Sequence, residues 1–283
     1  MREIEENPEK KTPFTILAVG SPFEHTGGGR RTLMVLMEEA KSGAEIYLHI
    51  PYDWLRWTIL NANGKTGELE NLIQQMQTLG SSGVKIPDVV YRLLRDPHKY
   101  MYDETLRIQR SKYKYLRWSL NTIFESYENQ RIAYLSEFAK SIPVPAVIYA
   151  YNESLSCIRD LRYLSKKSNS NVVALLQSKP YGNFNFKLFL RTISEGYFPV
   201  VMDELLELLP RLSIRREVKR LCEQKNFKAF FSVSESCFEF PGASKLKRKY
   251  HITFQTIYPA LSVETNNLPA ILQRKKEFYF TQD

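Results

Sequence analysis

The stretch AVGSPFEHTGGGRRTLMVLMEEAKSGAEIYLHIPY, Ala18 to Tyr52, narrows the choice of fold more than any other part of the chain. It begins on the end of FTILAVG (Phe14–Gly20), a short continuous apolar run. Such a run predicts a strand covered on both faces, as in a parallel sheet. Arg30–Gly43 then carries Leu33, Val35, Leu36, Met37 and Ala40 and stops at Gly43, a helix with a glycine stop signal. AEIYLHIPY (Ala44–Tyr52) reads as the next strand. Strand, glycine-rich loop, helix and strand make a βαβ unit, which implies a parallel sheet.

The alternation continues. PDVVYRLL (Pro87–Leu94) reads as a weaker strand, and Arg117–Ile142 as a long amphipathic helix. PAVIYAYN (Pro145–Asn152) is a strand, Glu153–Asn169 a helix and NVVALLQS (Asn171–Ser178) a strand. Asn185–Gln224 is mainly helical, broken near Pro199 and Pro210. KAFFSVSES (Lys228–Ser236) is a strand, GASKLKRKYH (Gly242–His251) a short basic helix, and FQTIYPALSV (Phe254–Val263) a last strand or extended stretch. Trp54–Pro87 reads as irregular or helical. The expected fold class is α/β: one doubly wound, mainly parallel, Rossmann-like sheet of six or seven strands over residues 13–265. A polar lead-in (1–12) and a linker-like tail (266–283) flank it.

With 43% hydrophobic and 25% charged residues the chain is globular in composition, and no window reaches the ~18 uninterrupted apolar residues of a membrane span. Thirty-three Tyr and Phe predict aromatic-rich packing. A net charge of +9 favours anionic partners. Cys157, Cys222 and Cys237 lack metal-ligand spacing, and with no export signal they predict reduced thiols in a cytoplasmic protein. The four histidines make no ligand set either, and HExxH and GxSxG are absent, which argues against a metal enzyme or an α/β-hydrolase.

Gly27, Gly28 and Gly29 stand where open α/β sheets bind ligands, between the first strand and the following helix. Bare backbone there can approach a phosphate. The text matches neither GxGxxG nor GxxxxGK[ST], so neither a dinucleotide fingerprint nor a P-loop is present. Arg30 and Arg31 oppose the helix dipole, a cost that a bound anion would offset. Ser234 and Glu235 follow a strand and are candidates for the same carboxyl edge. RIQRSKYKYLRW (Arg107–Trp118) interleaves Arg107, Arg110, Lys112, Lys114 and Arg117 with aromatic rings, as a membrane-surface helix or a nucleic-acid surface does. No RNA-binding or helix-turn-helix signature accompanies it, so nucleic acid is the less expected partner.

The ordered set of first strand, glycine loop, PAVIYAYN, NVVALLQS, FFSVSES and FQTIYPALSVE resembles the N-terminal half of family four glycosyltransferases, over residues 14–264. That family has two Rossmann-like domains facing across a cleft (the B-type fold). The resemblance implies that Gly27, Gly28, Gly29 and Arg30 approach the donor diphosphate. It places Tyr149, Tyr151 and Asn152 on the acceptor side, at a strand end where many members have His, together with Ser234 and Glu235. The Asn-Gly expected near the last strand is Ala260-Leu261 here. The family's C-terminal domain grips the donor with glutamates eight positions apart, and no Glu here has a Glu eight residues on.

The expected function is therefore the acceptor half of a retaining glycosyltransferase. Its donor substrate is a nucleotide-sugar, its acceptor a glycan or lipid, and it needs no cofactor or metal. A separate C-terminal subunit would complete it. The alternative is a non-catalytic module that docks on a partner enzyme or peripherally on an anionic inner membrane face.

Overall fold

The computed structural model describes residues 14–23, 27–62, 66–97, 128–181, 186–194 and 211–257. Strand β1 (Thr15–Val19) leads through α1 (Gly27–Lys41) to β2 (Glu45–His49). Helices α2 (Tyr52–Ala62) and α3 (Thr66–Ser81) precede β3 (Val84–Lys85), and α4 (Asp88–Arg95) and α5 (Glu128–Lys140) follow it. Then come β4 (Val147–Ala150), α6 (Leu155–Lys167), β5 (Asn171–Leu176) and α7 (Phe186–Ser194). Residues 211–222 are helical. They lead to β6 (Phe227–Ser232), α8 (Ala243–Tyr250) and β7 (Thr253–Thr256).

Seven strands form one sheet in the order β3-β2-β1-β4-β5-β6-β7, and every pairing is parallel. This is a doubly wound, Rossmann-like sheet. The strand order reverses between β1 and β4, and the connections leave those two strands in opposite directions. The reversal opens a crevice at their carboxyl ends. β4 is buried throughout, and β1, β5 and β6 nearly so, because helices cover both faces. The aromatic content packs the β6–β7 side, where Phe230 meets Phe227 at 4.8 Å and Phe254 at 5.4 Å between ring centroids.

Two local expectations change, and one open reading is resolved as helix. PDVVYRLL is helix, not strand. Val89, Val90, Leu93 and Leu94 are the buried positions, a helical spacing, and Asp88 pairs with Arg92 one turn on at 3.0 Å. The paired β-branched valines imitate a strand, while Pro87 just ahead fits a helix start. The strand of this region is the short VK at 84–85, and most of Trp54–Pro87 is the two helices α2 and α3. Finally, Gly27–Gly29 are the first turn of α1, not the loop before it. Gly43 adopts φ +87° and closes that helix as the sequence predicts.

Candidate functional site

The crevice is assembled from backbone outward. Gly20 N–H donates to His49 O at 3.0 Å and Tyr151 N–H to Val19 O at 2.9 Å, so the ends of β2, β1 and β4 are locked in line. A Cβ on Gly20 would lie 3.1 Å from Tyr151 Cβ, so the two strand ends meet only because residue 20 has no side chain. The same point lies 3.8 Å from Thr32 Cγ2. Thr32 is thus level with the end of β1, and the first turn of α1, Gly27–Arg30, stands beyond the strand end, over the crevice. α1 has no acidic residue in its first turn. Among the described residues, neither Arg30 nor Arg31 forms an ion pair or hydrogen bond through its guanidinium. The backbone donors, the helix dipole and both cations therefore add to one positive region.

Ser21 lies between β1 and α1. Its hydroxyl is buried, at 3% residue exposure, and has no hydrogen-bond partner among the described residues. A buried unpaired hydroxyl costs about 1–3 kcal/mol. Ser21 was not singled out by sequence reasoning; its place directly after the first strand was the available signal.

On the β4 side, Tyr151 is buried and its hydroxyl donates to Glu39 Oε2 of α1. Asn152 Oδ1 accepts from Ser154 N–H at 3.1 Å. Glu153 accepts from Gln177 N–H at 2.8 Å and from the Ser178 hydroxyl, while Gln177 Nε2 donates to Tyr151 O at 2.7 Å. The ends of β4 and β5 are thereby tied into a rigid rim.

The structure brings Gly29, Arg30, Tyr151 and Asn152 to the crevice region. Tyr149 lies one pleat deeper on the same face of β4, buried in the core as Tyr151 is, with the two rings 4.6 Å apart. Ser234 and Glu235 do reach the carboxyl edge, but at the end of β6, three strands from β1 and so roughly 14 Å away. Ser234 caps the 3₁₀ turn Glu235–Phe238. Glu235 lines a separate cavity of about 560 Å³ with Phe238, Ser244 and Lys247. Arg107, Arg110, Lys112, Lys114 and Arg117 lie outside the described residues.

A buried charge network supports the crevice from below. His49 Nε2 lies 2.9 Å from Asp160 Oδ2, which also accepts Tyr52 N–H at 2.9 Å. Arg131 donates to Asp160 Oδ1 at 2.8 Å and to both oxygens of Glu128 at 2.6 and 2.8 Å. A carboxylate can only accept here, so His49 donates from Nε2. Burial raises the Asp160 pKa, but the His49 hydrogen bond and charge, Arg131 and the Tyr52 amide outweigh it, and the carboxyl is held below its ordinary range. The network fastens β2, α2, α5 and α6 together.

Among the described residues no group of His, Cys, Asp and Glu is arranged to hold a metal ion. None of the three cysteines forms a disulfide, and all three are buried. None of the described helices is long and apolar enough to cross a membrane. The chain matches no protein-family model, no curated protein and no solved structure.

Proposed function

We propose that the chain is the acceptor-side domain of a retaining glycosyltransferase. It moves a sugar from a nucleotide-sugar donor to an acceptor hydroxyl, with a separate C-terminal domain supplying the rest of the donor site. The carrying observation is the β1–β4 reversal, with a glycine-opened, acid-free helix start standing over it. Such a helix start favours a diphosphate. The leaving diphosphate would be stabilised by the amides of Gly27–Gly29 and by Arg30 and Arg31. The Ser21 hydroxyl, buried and without a hydrogen-bond partner among the described residues, gives the same place a reason to bind a polar ligand.

The test is nucleotide release from a panel of sugar donors, with the chain mixed with the product of its neighbouring reading frame. Turnover that needs both chains is expected. No turnover with any donor, and a neighbour lacking paired glutamates, would overturn the reading.

A second reading has its own support. Phe186, Leu190 and Ile193 on α7 are 60%, 49% and 41% exposed at spacing i, i+4, i+7. An apolar stripe on a basic protein suits peripheral contact with an anionic inner membrane face. Sedimentation with anionic vesicles tests it: binding that falls with salt and with Leu190→Ser is expected, and binding indifferent to both contradicts it.

A further inference from the structure

A groove of about 420 Å³ runs between α1 and α3. Each helix descends from the carboxyl edge of the sheet toward a strand start at the opposite edge, so the two run in the same direction. Arg30 stands at the carboxyl end of the groove, and Met37 and Leu79 lie toward the other end. Leu33, Met37 and Leu79 make an apolar lining, and Phe23 flanks Arg30 at the mouth. The α3 side presents the amides of Asn71, Gln74 and Gln75, which are exposed and make no side-chain hydrogen bond among the described residues. Among the described residues, Arg30 is the single charged residue lining the groove.

We propose that this groove binds an amphipathic anion, its alkyl chain along Leu33, Met37 and Leu79 and its head at Arg30. The chemistry selects that class. One cation, with no acidic residue among the described lining, at the positive end of α1, favours a singly headed anion. The apolar lining gives free phosphate nothing further, but it removes a hydrocarbon chain from water. From Arg30 to Met37 the helix rises about 10 Å, the reach of a medium-length alkyl chain. The uncharged amides opposite can satisfy hydroxyl or carbonyl groups near the head without opposing an anion. The proposal does not rest on glycosyl transfer, because it concerns binding alone. It would also place the anionic head beside the first turn of α1.

Isothermal titration with n-decyl phosphate below its micelle concentration tests this. Inorganic phosphate supplies the head alone, and n-decyl glucoside the chain with a neutral head. One-to-one binding of decyl phosphate is expected, with each control about tenfold weaker or worse. Gln75→Trp fills the groove from an exposed position and should weaken decyl phosphate about tenfold at unchanged melting temperature. Arg30→Gln should erase the preference for the phosphate head while leaving glucoside binding in place. Equal binding of inorganic phosphate, equal binding of the glucoside, or full affinity in Gln75→Trp would each overturn the proposal. A nucleoside diphosphate titrated into Gln75→Trp, whose groove is filled, reads the β1–β4 crevice, so the two failures are distinguishable.

Discussion

Gly20 and Tyr151 approach so closely that a Cβ on Gly20 would lie 3.1 Å from the Cβ of Tyr151. The neighbouring atom belongs to a buried strand end tied to β5, so it cannot swing away. Gly20→Val should therefore destabilise the fold by about 1–3 kcal/mol, the usual cost of overpacking. Denaturant unfolding measures this. A variant as stable as the wild type would show that the two strand ends are not in contact.

Arg131 and Asp160 are both buried and 2.8 Å apart. Asp160→Asn removes the charge that Arg131 and His49 share and should cost about 3–5 kcal/mol, as breaking one side of a buried pair does. Equilibrium unfolding by urea reads the loss. A cost under about 1 kcal/mol, the range of an exposed pair, would contradict the burial of the network.

The same carboxyl sets a pH dependence. Asp160 is depressed below its ordinary value of 3.8 in the folded protein, so the unfolded chain takes up its proton first as pH falls. The Asp160 contribution is full above that value and is lost as pH drops through the lower folded value. The stability gap between wild type and Asp160→Asn should therefore be constant from neutral pH to about 5 and shrink below 3.8. A gap that widens with acid would mean the carboxyl is raised, not depressed.

Burial pushes the Cys222 thiol up to about 12 and also raises that of Cys237. Thiolate is the reactive form, so folded protein at pH 8 should react slowly with a disulfide reagent, and unfolded protein should release all three thiols at once. A stoichiometric fast phase in the native state would place a cysteine at the surface.

The parallel sheet was legible because β1, β4 and β5 are continuous apolar runs and because Gly43 marks the end of α1. What misled was local ambiguity. Val89 and Val90 favour a strand by type, yet the period set by Leu93 and Leu94 makes them one face of a helix. Gly27–Gly29 read as a loop by propensity, although they begin a helix whose remaining positions are good helix formers. The site was legible only in part. Gly29 and Arg30 are candidates by their place after the first strand, and the structure puts both in the first turn of α1. The His49–Asp160 contact spans 111 residues, and no local pattern announces it. Tyr149 and Tyr151 stand two residues apart, so they share one face of β4, and both rings are buried; burial from the helices that cover that face is not legible at a strand end.

The account turns on the β1–β4 crevice as an anion site, and Ser21 tests it most directly. Its buried hydroxyl lacks a partner among the described residues, so Ser21→Ala should stabilise the free protein or leave it unchanged. The same change should weaken binding of a nucleoside diphosphate if that hydroxyl serves the ligand. Thermal melting of both proteins, with and without a nucleoside diphosphate, is the measurement. We expect Ser21→Ala to melt no lower than wild type alone, and to lose most of the ligand-induced rise seen in the wild type. No rise in the wild type, or an equal rise in both proteins, would contradict the account.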